Sequence, residues 1–378
     1  MTAVTQTRKK IPISFYPLLA LTLFAVALSI YRLVVGLGPT TNLTDHYPWG
    51  MWITIDYFLI PVAGAAFTIS FITHFYGRDH YTTALRPSIL AGFLGYAIVG
   101  ILLFLDIGRW HQFYNILNPQ YINLHSFLEE VSLSVTFYTI ILVIEIAPTF
   151  LEKWGYERPI RFINRFIIII AGAGIILSAL HQSSLGSMFL IMRHKLHPLW
   201  WTPALPLIFF LQAIYTGLAA TAVAVTLIWK RKGYPIDREF FRRIGQAMSI
   251  ALGLYLAVKV GDWMGAGKVD LLFQPDAFGI LVWLELIIGI FIPLIILLSK
   301  LGGHSAGPFW AGVFVLIGTF INRLIISWIG LAEPSPIVYS PHWIEIMITI
   351  GLLSGGFLAY GIVVRYFRLF KDDPIYNE

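Results

Sequence analysis

The residues best suited to chemistry lie in an apolar segment from Tyr121 to Pro148, with the sequence YINLHSFLEEVSLSVTFYTIILVIEIAP. His125, Glu129 and Glu130 lie near its beginning. His125 and Glu129 are four residues apart, so a helix that includes both would place them on one face. An imidazole can bind a carbonyl oxygen and changes protonation near neutral pH, and a neighbouring carboxylate can exchange its proton. This pattern predicts a site that binds a carbonyl group and exchanges protons.

The same segment carries further polar residues towards its other end. Glu130, Ser134, Tyr138 and Glu145 form a stripe that predicts a route for protons along the helix. Acidic side chains are costly within a bilayer unless they are paired, hydrated or neutral. The alternative is therefore a structural cluster, in which the acids near His125 pair with Arg109, Arg323 or Lys259 and lock helices together.

Asp56 lies in a second such segment, HYPWGMWITIDYFLIPVAGAAF. An isolated aspartate within a membrane span indicates a functional site by default, and the alternative is an ion pair with a neighbouring span. Lys259 shares a helix face with Asp262, and Glu285 lies at a similar depth. These three residues predict a neutralised pair without a chemical role.

Histidines within apolar segments also raise the possibility of haem, which needs an axial histidine and usually two on facing helices. The candidates are His74, His125 and His181, and only His125 and His181 are expected at the same side of the membrane. No group of ligands suits a transition metal. Because the chain contains no cysteine, thiolate-bound zinc and cysteine-bound iron–sulfur clusters are excluded within it.

Composition identifies the elements that carry these residues. Of the 378 residues 57% are hydrophobic and only 12% are charged, and the mean hydropathy is +0.76. Such a chain is an all-α integral membrane protein, which we expect to form a single polytopic domain over residues 1–378. Ten apolar segments are long enough to span a bilayer. They are predicted at 14–36, 51–74, 88–106, 124–148, 163–183, 204–229, 243–262, 277–299, 307–330 and 343–365.

The basic residues predict the orientation of these spans. Of the 26 lysines and arginines, most fall at the termini and in alternate loops, and only Arg109, Arg193, Lys195 and Lys268 fall in the opposite loops. Since basic loops remain in the cytoplasm, both termini are predicted to be cytoplasmic in a cell membrane. Most of the buried polar residues then lie in the outer half of the bilayer. The long aromatic outer loops suit either an interfacial belt or a docking face for a partner.

Four segments resemble the NrfD/polysulfide-reductase superfamily of quinone-interacting membrane subunits, and its HybB-type hydrogenase branch in particular. These segments are HYPWGMWITIDYFLIPVAGAAF, LDIGRWHQFY, HSFLEEVSLSVTFYTIILVIEIAPTFLE and HQSSLGSMFLIMRHKLHPLWWTPALPLIFF. The resemblance covers nearly the whole chain and is strongest over residues 46–212. Where many relatives have DLGRP, this chain has LDIGRWHQ.

The resemblance implies two four-helix bundles, at 51–183 and 204–330, with peripheral helices at 14–36 and 343–365. It implies that menaquinone or ubiquinone binds near the outer face, that no haem is bound, and that a ferredoxin-like iron–sulfur subunit docks outside together with further catalytic subunits. Within the first bundle Asp56, His125 and Glu129 match the places of the quinone site, and Asp106 and His181 match less closely.

The sequence therefore predicts a quinone-binding membrane subunit of a respiratory oxidoreductase. Electrons would pass between membrane quinone and the outer iron–sulfur subunit, and proton translocation is an accompanying hypothesis. Two other functions stay open. A secondary transporter would require inverted repeats and broken helices near the middle of the membrane, and a b-type cytochrome would require haem.

Overall fold

The computed structural model describes residues 12–45, 47–75, 82–123, 125–233, 237–330 and 339–370. Over these ranges the chain is helical and contains no strand. The helices are α1 Phe15–Val35, α2 Met51–Phe75, α3 Thr82–Asp106, α4 Phe127–Leu151, α5 Glu157–Met188, α6 Leu205–Lys232, α7 Arg238–Gly265, α8 Ala277–Leu286, α9 Ile292–Leu298, α10 Ala306–Leu324 and α11 Trp343–Tyr366. A π-helical segment, Ile287–Phe291, joins α8 to α9, and a second one, Ile325–Ile329, continues α10.

The described residues form ten spans, because α8 and α9 together make one apolar helix long enough to cross a membrane. This confirms the predicted number of spans and the all-helical class. A bilayer provides no partner for backbone N–H and C=O groups, so a chain this apolar satisfies them within helices. The boundaries differ from the prediction in places. For example, α5 extends from Glu157 to Met188, beyond the predicted range 163–183 at both ends.

Helices α2 and α6 occupy the centre of the molecule and are the most buried spans. Helix α2 packs against α3, α5 and α6, and α4 packs against α3 and α5. Helix α6 packs against α7 and α10, and α9 packs against α7 and α10. A Cβ atom added at Gly217 in α6 would lie 2.6 Å from the backbone of Gly64 in α2. The two central helices therefore approach closely only because both positions lack a side chain.

Helices α1 and α11 pack mainly against each other and contact the rest of the molecule through α3 and α2. Their outward faces carry exposed apolar side chains such as Leu23, Ile30 and Phe357, as expected of surfaces that meet lipid tails. These contacts identify the neighbours of each helix. The division into two four-helix bundles with two peripheral helices stays a prediction.

The ends of the spans define two faces. The long-loop face comprises the connections 36–45, 107–123, 189–204, 266–276 and 339–342. Contacts between these connections and neighbouring segments hold the face together: Asn42 Nδ2 donates to the carbonyl of Ser340 at 2.8 Å, and Trp263 Nε1 donates to that of Leu199 at 3.0 Å. The basic face is the opposite one, and it includes the connections 152–156 and 299–305. The sequence predicts that the long-loop face is the outer one.

Candidate functional site

Asp56 and Asp106 extend the packing seam between α2 and α3 towards the long-loop face. A Cβ atom added at Gly95 would lie 3.1 Å from Cβ of Ala63, which shows that α2 and α3 are in close contact there. Asp56 is two helical turns before Ala63, and Asp106 is three turns after Gly95, so both aspartates continue the facing sides of the seam. They lie close enough to repel each other electrostatically.

Both aspartates carry oxygens that form no hydrogen bond. Asp56 is 3% exposed, and neither of its carboxylate oxygens has a partner. Oδ1 of Asp106 is also buried without a partner. A buried polar group without a hydrogen bond costs about 1–3 kcal/mol, and more if it is charged. Such a group requires an explanation, and a role in binding a ligand or exchanging a proton is one that suits two neighbouring carboxyl groups.

Arg32 of α1 lies beside Asp106. Its side chain is fully buried, and Nη2 donates to the carbonyl of Ile107 at 3.0 Å. Nε and Nη1 of Arg32 have no partner, and the guanidinium attracts Asp106 without forming an ion pair with it. We call Asp56, Asp106, Arg32 and Glu345 the acidic cluster. The sequence placed Arg32 within a span but gave it no role.

Glu345 of α11 is the member of the acidic cluster that is fully hydrogen-bonded. It accepts hydrogen bonds from the hydroxyl of Tyr339 at 2.6 Å and from the backbone N–H of His342 at 2.8 Å. The Tyr339 hydroxyl also accepts from the N–H of Met51 at 2.9 Å, at the first residue of α2. Burial and the bond to Glu345 raise the pKa of Tyr339, so its hydroxyl stays a donor. Glu345 therefore fixes the beginning of α2, five residues before Asp56.

His125 lies outside α4. The helix begins at Phe127 after Ser126 in an extended conformation, and the N–H of His125 is bound to the side chain of Asn123 at 3.1 Å. The prediction that His125 shares a helix face with Glu129 is therefore wrong. The side chain of Asn123 accepts the hydrogen bond from the N–H of His125, which keeps this residue in a turn before the helix. His125 is exposed, whereas Glu129 is half-buried and has one carboxylate oxygen, Oε1, without a partner.

The interior between α3, α4 and α5 holds a group of aromatic and polar side chains. The hydroxyl of Tyr96 and Nδ1 of His181 are 2.9 Å apart, and the ring of Tyr96 lies 4.8 Å from that of Tyr138. His181 is fully buried, and its Nε2 has no partner. The next residue, Gln182, donates to the carbonyl of Ile60, one turn beyond Asp56. His181 therefore lies deeper in the membrane than the acidic cluster.

The predicted proton stripe lies along the buried side of α4 for most of its length. Ser134, Tyr138 and Glu145 are buried, and Glu130 is half-buried near the beginning of the helix. Tyr138 and Glu145 are close enough to interact electrostatically. The sequence missed Tyr96, which stands next to Tyr138, because a tyrosine in the apolar run FLGYAIVG gives no signal that distinguishes it from a packing residue.

A haem held by two histidines does not fit these positions. His125 lies in an exposed turn, and His74 is in the last turn of α2 at the opposite face. Nδ1 of His181 is bound to Tyr96, and the two rings are 5.5 Å apart. Among the spans as described, His181 therefore has no second histidine across from it, as bis-histidine ligation of haem requires.

A second polar group, the basic cluster, consists of Lys259 of α7, Glu285 of α8 and Arg323 of α10. Lys259 and Glu285 form a buried ion pair. Glu285 also accepts from Trp200 Nε1 at 2.8 Å and from the hydroxyl of Tyr255 at 3.2 Å. Arg323 is 1% exposed, its guanidinium lies 3.6 Å from the ring centre of Phe209, and its three nitrogens have no hydrogen-bond partner.

The neutralised pair predicted near Lys259 forms with Glu285 and not with Asp262. Asp262 instead binds Lys268 at 3.0 Å and the hydroxyl of Thr202 at 2.5 Å. Helix spacing placed Lys259 and Asp262 on one face, but the neighbouring span offers Lys259 a carboxylate in a more buried setting.

The long-loop face exposes apolar and basic side chains together. Exposed apolar residues include Phe113, Tyr114, Tyr121, Ile191 and Phe273. Exposed basic residues on this face are Arg109, Arg193 and Lys195. Apolar side chains rimmed by charge are typical of a surface that another protein covers. An interfacial aromatic belt, the other interpretation, fits the same residues, because basic side chains accompany aromatic ones at membrane interfaces.

Comparison with known proteins identifies the family of this chain. The family described as polysulphide reductase, NrfD, matches residues 39–333. The chain is 28% identical to the probable Ni/Fe-hydrogenase 2 b-type cytochrome subunit of Escherichia coli (strain K12), over 93% of this chain and 90% of that protein. It is 27% identical to the menaquinone reductase integral membrane subunit of Nitratidesulfovibrio vulgaris, over 92% and 89%.

A third relative comes from an archaeon. The chain is 22% identical to the Hdr-like menaquinol oxidoreductase integral membrane subunit of Archaeoglobus fulgidus, over 96% of this chain and 95% of that protein. All three alignments run along nearly the full length of both chains, and the family match includes α2 to α10. The chain belongs to the polysulphide reductase NrfD family.

Proposed function

We propose that this chain is the quinone-interacting membrane subunit of an oxidoreductase complex. It would pass electrons between membrane quinone and an iron–sulfur subunit bound at the long-loop face. The observation that carries the proposal is Asp56, a buried carboxyl group with two unpartnered oxygens beside Asp106. Two of the relatives described above are named for menaquinone or menaquinol, which favours menaquinone over ubiquinone as the substrate.

The acidic cluster suits quinone chemistry because reduction of a quinone consumes protons as well as electrons. A carboxyl group within hydrogen-bond reach of a quinone oxygen can deliver or remove the proton. We assign this role to Asp56 and Asp106. Glu129, with one unpartnered oxygen at the beginning of α4, is a further candidate. His125 and His181 are the remaining candidates for quinone binding. His125 would bind from the exposed turn before α4, and His181 from the deeper interior.

A proton route towards the basic face would follow α4. Glu130 and Ser134 would form its entrance, and Tyr138 and Glu145 its deeper part. Tyr96 and His181 extend this set with a hydroxyl and an imidazole in direct contact. Whether protons cross the membrane depends on this route, and we propose it as an addition to the quinone site rather than as a requirement for it.

The electron partner must be another subunit, because the chain has no cysteine to hold an iron–sulfur cluster. We propose that a ferredoxin-like iron–sulfur subunit covers the exposed apolar and basic residues of the long-loop face, and that further catalytic subunits attach to it. On the predicted orientation this face is outside a cell membrane and both termini are cytoplasmic. One relative is named a b-type cytochrome subunit, but the histidines of the described spans do not suit a bis-histidine haem.

The test is reduction of the co-purified iron–sulfur subunit by a soluble menaquinol analogue, followed spectroscopically in the complex isolated through a tag on this chain. We expect Asp56→Asn to assemble normally and to slow this reduction by at least about tenfold, since removal of a proton-exchanging group commonly costs 10²–10⁴ in rate. Glu157→Gln, a change of an exposed acid at the basic face, is the control and should have no effect.

Two results would contradict the proposal. If Asp56→Asn reduced the partner at the rate of the unchanged complex, the acidic cluster would not be the quinone site. If no iron–sulfur subunit accompanied the purified chain, the docking assignment would fail. A reducing dye that bypasses quinone serves as a further control, because it should reduce the partner equally well in both variants.

A further inference from the structure

We propose that Arg32 binds an oxygen of the quinone head group, which makes α1 part of the substrate site. This inference rests on the proposed function and adds to it a residue from a helix that the sequence predicted to be peripheral. Arg32 is fully buried, yet two of its three side-chain nitrogens have no hydrogen-bond partner. A buried cation in this condition is strongly destabilising unless something else pairs with it.

The position of Arg32 is fixed by contacts that do not use its free nitrogens. Nη2 donates to the carbonyl of Ile107, directly after α3, and Trp110 Nε1 donates to the carbonyl of Leu33 at 3.0 Å. These two bonds tie the end of α1 to the connection that follows Asp106. Nε and Nη1 are therefore held near Asp106 rather than free to swing towards lipid.

The charged neighbours of Arg32 indicate the chemistry of the ligand that it would bind. Arg32 attracts Asp106 but makes no ion pair with it, and Asp106 in turn repels Asp56. Glu345, the third acid, is already bound by Tyr339 and His342. The unpartnered groups are thus donors on the α1 side and carboxyl oxygens on the α2 and α3 side. A molecule that accepts a hydrogen bond at one point and exchanges a proton beside it would satisfy both.

The pair of Lys259 and Glu285 in the basic cluster provides a contrast with Arg32. There, Lys259 reaches its carboxylate directly. A structural arginine beside Asp106 would be expected to do the same, since a guanidinium forms two parallel hydrogen bonds with a carboxylate readily. An N–H of Nε or Nη1 can instead donate to an oxygen of a quinone ring, and the positive charge stabilises that oxygen as it gains electrons. Arg32 therefore binds and orients the substrate, and the aspartates exchange its protons.

The experiment measures binding and turnover separately in the assembled complex, using a menaquinol analogue and a quinone-site inhibitor as probes. Arg32→Gln should raise the KM for the quinol, and the Kd for the inhibitor, by at least about tenfold, the equivalent of about 1.4 kcal/mol. Asp56→Asn should lower kcat more than it raises KM. Arg161→Gln, an exposed arginine at the basic face, is the matched control and should change neither quantity.

Arg32→Lys covers the case in which Arg32→Gln does not assemble. Lysine keeps the charge but not the fork, so we expect assembly with quinol affinity between those of the unchanged complex and the glutamine variant. Native KM and inhibitor Kd in Arg32→Lys and in any assembled Arg32→Gln would overturn the inference. If Asp56→Asn still abolished turnover in that case, the proposed function would stand without Arg32. If neither position affected quinol oxidation, the proposed function itself would fail.

Discussion

In the basic cluster the carboxylate of Glu285 accepts hydrogen bonds from Lys259, Trp200 and Tyr255, whereas in the acidic cluster neither oxygen of Asp56 has a partner. Both clusters lie towards the long-loop face, and Asp56 and Glu285 are equally buried, each 3% exposed. The difference is therefore not depth or exposure. It is the number of hydrogen bonds that the protein supplies to Glu285 and to Asp56.

Under the proposed function, this difference separates a structural group from a site. A carboxylate surrounded by fixed donors holds its charge and its neighbours in one arrangement, which stabilises the contact between α7 and α8. A buried carboxyl group that has no hydrogen-bond donor from the protein is stabilised most by a ligand that donates a hydrogen bond to it. Arg323 is the exception within the basic cluster, because it stacks on Phe209 but has no hydrogen bond.

The largest effect on stability is expected from Lys259→Met. The substitution leaves Glu285 buried without its cation, and breaking a buried ion pair on one side typically costs about 3–5 kcal/mol. The acidic cluster should behave differently, because Asp56→Asn removes no contact that the protein makes. Thermal unfolding of the purified complex in detergent measures both, and we expect a clear loss for Lys259→Met and little change for Asp56→Asn.

The double variant Lys259→Met/Glu285→Met is the matched control. Replacement of a whole buried ion pair by apolar residues of similar size is often neutral or stabilising, so the double variant should recover most of the loss. A single variant as stable as the unchanged protein would show that the basic cluster is not held together by this pair. The basic cluster could then no longer be contrasted with the acidic cluster as a stabilising ion pair.

The number of spans and their order could be predicted from sequence because both follow from the length of apolar runs. The contacts that distinguish the clusters could not. Arg32 binds the carbonyl of a residue 75 positions away. Lys259 has an acid on its own helix face, yet it pairs with one on another helix. Hydropathy and helix spacing describe one helix at a time, and the choice of partner depends on how helices are packed.

Only some residues of the candidate site could be predicted, because sequence patterns identify residues within a helix and not their partners on other helices. Asp56 and Asp106 were predicted because an ionisable residue in a span is conspicuous in any sequence. His125 was placed in a helix because the apolar run begins near it, but the hydrogen bond from its N–H to Asn123 keeps it in a turn. Tyr96 was missed since a buried tyrosine becomes informative only when its partner, His181, is known.

Tyr96→Phe tests whether the polar group between α3, α4 and α5 is structural, as the pair of Lys259 and Glu285 is, or functional, as we propose for Asp56. The change removes the partner of Nδ1 of His181, and an unsatisfied buried group of this kind costs about 1–3 kcal/mol. We expect a moderate loss in thermal stability, smaller than that of Lys259→Met. Tyr156→Phe, which changes an exposed tyrosine at the basic face, should have no measurable effect.

Turnover of Tyr96→Phe adds a second measurement. If the proton stripe on α4 includes the pair of Tyr96 and His181, quinol oxidation should slow even at temperatures where the variant is fully folded. Unchanged turnover together with reduced stability would assign the pair to packing alone. The proposed route would then be limited to Glu130, Ser134, Tyr138 and Glu145.

The smallest effect is expected from His125→Ala, because an exposed side chain makes few contacts that the substitution would remove. Surface substitutions usually change stability by no more than about 0.5 kcal/mol. Water competes for every hydrogen bond that an exposed imidazole makes, so we expect turnover to fall less than in Asp56→Asn, whose carboxyl group is shielded from water. His304→Ala, an exposed histidine at the basic face, is the control for both measurements. A loss in His125→Ala as large as that in Asp56→Asn would mean that the bound partner or the quinone buries His125 in the assembled complex, which would extend the site from the acidic cluster to the beginning of α4.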